Sequence, residues 1–317
     1  MSAHRAVGLL LGVVADGLIG EPRRAGPPRP VAALPQAADT LARRIGTAGA
    51  TTVVTTGAVA AGMLVERAAG RYRLVRTLVV AAGTWSVLGG ARIAADGTEL
   101  ARDLENGDFD TARERISTAD PRCTEDLDLP GLSRAAIEVV ADQTSNAVVS
   151  PLIWGAVAGL PGMLGARTVT VLGRRPGMEL DIASARSADP VARRLDEIAN
   201  LVPARLTATL TTAAAPVVGG SAPSAWQAWR RDTAAHPSPN AGRAEAAFAG
   251  ALEIRLGGRT VYPRGVAELP VLGAGRNPDA GHVTRAVELS RVVGLCAVGV
   301  SAVLAALSGI GRRRRRQ

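Results

Sequence analysis

From Val292 to Ile310 the chain runs nineteen positions without a charged side chain, then meets Gly311 and five consecutive arginines, Arg312 to Arg316. About 20 apolar residues in helical form cross a bilayer core. No extended or irregular backbone could occupy that core alone, because its polar groups would lack partners. The block therefore predicts a spanning helix, and the basic run after it predicts a C-terminus on the cytoplasmic side. A buried helix with a solvated basic tail is the soluble alternative.

Weaker blocks of the same kind occur earlier. Residues 6–20, 51–95, 147–172 and 201–220 are apolar, and with 292–310 they predict a mainly α, polytopic integral membrane protein. Amphipathic helices and polar loops join the apolar helices. The whole chain reads as one membrane domain with a basic tail at 311–317 and polar regions at 96–146 and 221–291. The block at 6–20 carries Asp16, which argues for a retained helix and against a cleaved leader. Thr51–Val65 and Leu74–Ala95 flank an arginine-bearing tip and read as a helical hairpin. In the acidic stretch that follows, Leu100, Leu104, Ala112 and Ile116 keep helical spacing, which predicts two short surface helices broken near Asn106-Gly107. Gly159-Leu160-Pro161-Gly162 breaks the middle apolar segment, and the Gly- and Pro-rich stretch 257–281 predicts a loop with a short hairpin.

Composition removes several chemistries. All 37 basic residues are arginine, so a P-loop lysine and a Schiff-base lysine are both excluded, and with them pyridoxal phosphate. The net charge of +9 is scattered among apolar blocks, and an aromatic fraction of 3% offers few stacking platforms, so nucleic acid is not expected as a partner. Cys123 and Cys296 stand far apart and make neither a zinc spacing nor a disulfide framework.

The polar chemistry concentrates in Arg230-Arg231-Asp232 and His236-Pro237-Ser238-Pro239-Asn240-Ala241-Gly242, followed by Glu245. Two prolines bracket Ser238 and stiffen a turn that is neither helix nor strand. It also reads as a plain helix-terminating loop, with Asn240 as N-cap of the Ala-rich segment after it and Glu245 near the first turn.

These residues, in this order, resemble the CobD/CbiB family of cobalamin biosynthesis, the adenosylcobinamide-phosphate synthases. The resemblance runs from about Val7 to about Val293. It begins with Asp16-Gly17-Leu18-Ile19-Gly20-Glu21-Pro22-Arg23 and Pro30-Val31, and continues through Ala135-Ala136-Ile137-Glu138, Ser150-Pro151-Leu152 and Gly159-Leu160-Pro161-Gly162. Ala185-Arg186, Leu195-Asp196-Glu197-Ile198-Ala199-Asn200 and Pro203-Ala204-Arg205 follow. It is closest at the His236 turn with Glu245-Ala246-Ala247, then Arg255-Leu256-Gly257-Gly258 and Tyr262. The chain departs from the family pattern in three places. Asp142-Gln143-Thr144-Ser145-Asn146 stands for Glu-Asn-x-x-Asp, Thr170-Val171-Leu172-Gly173-Arg174-Arg175 for Asn-Thr-Leu-Asp-Ser-Met, and Arg122-Cys123 for Arg-Asp.

The resemblance implies a cell-membrane enzyme that joins aminopropanol or its phosphate to a propionate of adenosylcobyric acid, with ATP as cosubstrate and Mg²⁺ as cofactor. The implied partners are the corrinoid, the amine, membrane lipid and other enzymes of the same pathway. Activating a carboxylate puts charge on phosphates, which arginines clamp and Mg²⁺ bridges to carboxylates. Asp196, Glu197 and Asp142 are the candidate metal ligands. Glu138 joins them at that pole as a candidate catalytic group, and Arg186, Arg205, Arg230 and Ser238 are candidates for substrate or phosphate. His236 suits proton removal from the incoming ammonium, and Asp232 and Asn240 would orient it or the substrate. Asp16, with Glu21, reads as a site residue because acids inside apolar helices lean toward function. The altered motif at Asp142, Gln143 and Asn146 and the side chain lost at Gly173 leave a second reading, an impaired relative that binds corrinoid or scaffolds pathway proteins. A transporter would show repeated halves of similar hydropathy, and this sequence shows no such repeat.

Overall fold

The computed structural model describes residues 3–20, 33–70, 72–174, 189–263 and 265–314. Twelve α-helices and one hairpin make up these residues: α1 (Ala3–Ile19), α2 (Leu34–Ala68), α3 (Arg73–Val87), α4 (Gly90–Glu105), α5 (Phe109–Ala119), α6 (Leu129–Gln143), α7 (Ser150–Gly173), α8 (Pro190–Ala199), α9 (Leu201–Ala214), α10 (Ala222–Asp232), α11 (Ala241–Leu252), β1 (Leu256–Tyr262), β2 (Gly265–Leu272) and α12 (Ala280–Arg314). A π-helical segment, Thr144–Val149, joins α6 to α7.

Among the described residues five helical stretches are long and apolar enough to cross a membrane: Leu34–Ala68, Arg73–Glu105, Leu129–Gly173, Leu201–Val218 and Ala280–Ser308. Leu64, Leu74, Val303 and Leu307 stand exposed on them. Such apolar faces are a liability in water and ordinary in lipid. The protein is a multi-pass, mainly α membrane protein.

The break between α4 and α5 at Asn106–Asp108 and the β hairpin fall where the sequence places them, whereas α2 and α3 do not pair as a hairpin: α2 packs on α7 and α3 on α1. Two boundaries move. The polar region expected over 96–146 ends near Asp128, because α6 is buried along nearly its whole length: Leu132, Ala135, Ala136, Ile137, Val140 and Ala141 enclose Glu138. Two acids on one face disguised an apolar helix. Similarly, α12 begins at Ala280, before the uncharged block.

Small residues set the helix spacing. On α1, Gly8 and Gly12 sit one turn apart against α3; a Cβ on Gly8 would stand 2.7 Å from that of Val80, and one on Gly12 would collide with Thr84. This is the close approach that small-xxx-small patterns permit in membranes. Gly12→Val is expected to cost about 1–3 kcal/mol by overpacking, read as a lowered unfolding temperature in detergent. Gly159 (φ 72°, ψ −155°) kinks α7 ahead of Pro161, and the Leu160 amide freed there donates to Glu66 at 2.8 Å.

The polar elements gather around α11, which packs against α6, α9 and α10 and against the hairpin. Ala244 and Ala246 to Leu252 are buried, with Phe248 the largest enclosed side chain. Strand β1 pairs antiparallel with β2, Leu256 opposite Leu272, with a bulge between Leu256 and Gly258.

Candidate functional site

Helix α6 starts at Asp128, whose carboxylate caps it by accepting from the Gly131 amide at 2.9 Å. One helical turn separates Glu138 from Asp142, so both point from the same face. Glu138 is buried. Its Oε2 accepts from Arg122 at 2.6 Å and its Oε1 from the Gly257 amide at 2.7 Å. Arg122 donates its other arm to Asp120 at 2.7 Å. Burial opposes the charge of Arg122, yet Glu138 and Asp120 outweigh it and hold the guanidinium well above its ordinary pKa. With both oxygens engaged, Glu138 anchors the hairpin to α6.

Asp142 lies next to a second guanidinium. Arg174, just past α7, ion-pairs with Asp142 and donates from Nε to Asp196 at 3.1 Å. Burial opposes this charge too, and the two carboxylates again raise the pKa above its usual value. The π-helical turn, a feature often found at functional sites, places Asn146 to donate to Asp142 at 2.9 Å. Asp196 further accepts from Thr170 at 2.8 Å and Asn200 at 2.6 Å. A Cβ on Gly173 would stand 3.0 Å from the Cβ of Asp196. The departures at Asp142, Asn146, Gly173 and Arg174 therefore meet in one place and fit one another.

Asp142, Asp196 and Glu197 do not form a metal cage. Arg174 lies between the first two, and the Glu197 carboxylate pairs with Arg193 and Arg194 on α8. Among the described residues no three His, Cys, Asp or Glu side chains are disposed to hold an ion.

The His236 turn lies near this cluster, close enough for Glu138 and Asp142 to act on the imidazole. The imidazole lies against Gly242, where a Cβ would come within 2.5 Å of Cγ and 2.8 Å of Nδ1. Nδ1 faces the Ser238 carbonyl at 2.9 Å and the Ser238 amide at 3.1 Å, so the tautomer follows whichever of the two it engages. Nε2 faces Glu245 Oε2 at 3.4 Å. Burial lowers the pKa of His236 against the opposing pull of Ser238, Glu138 and Asp142. Burial, then Glu138 and Asp142, push Glu245 well above the usual carboxylate range. Ser238 Oγ, rather than Asn240, caps α11, accepting from the Ala241 amide at 3.2 Å. The Asn240 side chain instead donates to the Glu197 carbonyl at 2.8 Å and ties the turn to α8; its Oδ1 is buried without a partner among the described residues.

Two expected site acids make contacts with the backbone. Asp232 accepts from the Gly273 amide at 2.8 Å and from Arg231 at 2.5 Å, so it fastens the exit of β2 to α10 and does not orient His236. Asp16 accepts from the Ala91 amide at 2.8 Å at the start of α4, which makes this buried acid a helix cap. Glu21 and Arg186 fall outside the described residues.

Arg205, exposed on α9, donates to the Leu201 carbonyl at 2.6 Å. Arg243 on α11 lies close enough for burial and then Arg205 to lower its pKa, and its Nε is buried without a partner. Among the described residues neither pairs with a carboxylate, which suits them to phosphate. Arg230 sits 5.5 Å over the Trp226 ring, itself edge-on to Trp229 at 5.1 Å. Trp226, Gln227, Arg230 and Arg231 line a surface hollow of about 560 Å³.

Glu245, Arg122, Arg174 and Arg243 were not among the expected site residues. Glu245 was visible only as a first-turn acid; Arg122 and Arg174 stood in segments compared with the family pattern but without an assigned role, and Arg243 carried no signal of its own.

The family described as "CobD/Cbib protein" matches residues 9–290. The cobalamin biosynthesis protein CobD of Mycobacterium tuberculosis strain H37Rv is 44% identical over 299 residues, covering 91% of this chain and 92% of its own length. The protein of that name from Geobacter metallireducens is 34% identical over 287 residues, covering 84% and 85%. That from Rhodobacter capsulatus is 38% identical over 208 residues, covering 63% and 64%. No solved structure matches.

Proposed function

Because the chain belongs to the CobD/Cbib family and so works in cobalamin biosynthesis, we propose that it forms the amide between a propionate of adenosylcobyric acid and aminopropanol or aminopropanol phosphate, at the expense of ATP. The observation that carries this reading is one polar cluster in a multi-pass membrane protein, with His236 and Glu245 over Glu138 and Asp142. Amide formation from a carboxylate and an ammonium needs three things: phosphate-holding groups while the carboxylate is activated, a proton acceptor for the amine, and a dry pocket for the attack.

Arg205 and Arg243 are the groups proposed for phosphate. The His236–Glu245 pair is proposed to take the proton, its low-dielectric surroundings favouring neutral imidazole. Trp226 with Arg230 offers a flat apolar face and a cation to a macrocycle carrying carboxylate and amide arms. ATP supplies the activating phosphoryl or adenylyl group, and Mg²⁺ would be held largely by its phosphate oxygens, as that ion ordinarily is. The mutual fit of Asn146, Gly173 and Arg174 around Asp142 and Asp196 favours a working variant over an impaired relative. The site is proposed to face the cytoplasm of a cell membrane, the side that holds ATP.

Complementation tests the reading. A cobalamin auxotroph lacking its own family member should regain growth with this chain and not with His236→Ala present at equal abundance. Equal growth with both would remove the His236 turn from the reaction; no growth with either would count against the activity itself.

A further inference from the structure

Glu138 has Arg122 and Asp142 has Arg174, so each of these neighbouring carboxylates is matched by a guanidinium. Glu245 has none. Among the described residues its only contact is Oε2 to His236 Nε2 at 3.4 Å, Oε1 meets no donor, and Arg122 pulls on its charge without touching it. The side chain is 13% exposed against 8% for His236, and buried Ala244, Ala246 and Ala247 flank it on α11. Burial beside two other carboxylates keeps this side chain protonated until a cation comes against it, and an incoming ammonium is such a cation.

His236 is placed differently. Nδ1 is engaged by the Ser238 backbone and Nε2 by Glu245, so neither ring nitrogen is left to meet an amine. We propose that Glu245, with Oε1, receives the ammonium group of the acceptor, and that His236 stands behind it as the positioning residue that holds Oε2 and accepts the proton onward. The proposal rests on the amide-forming reading above and names the residue that touches the amine.

The step balances as follows. One N–H bond of the ammonium breaks, and its proton goes to Glu245 Oε1. The electron pair left on nitrogen forms the C–N bond to the activated carbonyl carbon, whose C–O bond to the leaving phosphate or adenylate breaks with its electrons on oxygen. The second proton, shed from the nitrogen after attack, leaves with the phosphate or to water. With Nδ1–H donating to the Ser238 carbonyl, Nε2 turns a lone pair to Oε2 and takes the proton that Glu245 carries there when the ammonium docks, which frees Glu245 to accept the ammonium proton on Oε1.

Glu245→Gln keeps shape and hydrogen bonding while removing the negative charge, so it separates this role from that of a neutral buried spacer. With full-length protein in nanodiscs, the variant should keep the wild-type unfolding temperature and corrinoid affinity, and kcat/KM for the amine should fall by about 10²–10⁴-fold, the range for a lost acid–base group. Hydroxylamine, uncharged at neutral pH, should be used as acceptor nearly as well by the variant as by the wild type. Wild-type kcat/KM for the amine in Glu245→Gln would overturn the proposal, as would an equal loss with hydroxylamine. If that variant fails to fold, Glu245→Asp should raise KM for the amine with corrinoid affinity unchanged, and an unchanged KM would overturn it. A wild-type protein that binds corrinoid and ATP but makes no product would instead overturn the amide-forming reading beneath.

Discussion

Arg122→Met is expected to destabilise the protein by about 3–5 kcal/mol, the cost of leaving one member of a buried ion pair without its partner. The carboxylate that loses is Glu138, 4% exposed and set among α6 alanines and aliphatics. Its remaining contact, the Gly257 amide, cannot offset a full charge. Asp120 loses its guanidinium as well. The change should appear as a large fall in unfolding temperature in detergent, with loosened protection of the β hairpin that Glu138 anchors. Arg122→Met combined with Glu138→Gln should recover most of the loss, because the amide oxygen still accepts from Gly257 and no buried charge remains. A double variant no more stable than the single one would show that Arg122 acts through packing and not through this pair.

Gly242→Ala is expected to lower activity by about 10²-fold or more, on the scale of a misplacement near 1 Å at a reacting group, with little loss of stability. Alanine is a better helix former than glycine, and Gly242 lies in the first turn of α11, so the helix itself gains. The added methyl instead meets Cβ, Cγ and Nδ1 of His236, all within 2.8 Å of where it would stand. The ring must leave the position in which Nε2 faces Glu245. Loss of activity with a maintained unfolding temperature and maintained corrinoid binding separates displaced chemistry from a damaged fold. Full activity would mean that the reaction does not need the ring where it lies.

The membrane architecture was legible because it rests on blocks: the uncharged run of α12, the apolar runs of α2 and α3 and the glycine–proline break of α7 each carry a local signal. The buried face of α6 was less so. Glu138 and Asp142 there look like surface acids until Arg122 and Arg174 are placed beside them, and those partners come from 16 and 32 positions away. For the same reason the contacts of Asp16 and Asp232 were hidden. Each accepts from a backbone amide, Ala91 or Gly273, that only the folded chain brings near. The His236 turn was legible in composition, but the direction of its ring was not. That direction depends on Gly242 lacking a side chain and on Glu245 following one helical turn later.

Condensation on purified full-length protein in nanodiscs tests the central claim most directly, with adenosylcobyric acid, ATP, Mg²⁺ and either aminopropanol or its phosphate, read by the mass of the corrinoid. The account predicts a product heavier by the acceptor minus one water, formed only with ATP. A corrinoid of unchanged mass, still bound to folded protein in the presence of every reactant, would contradict it.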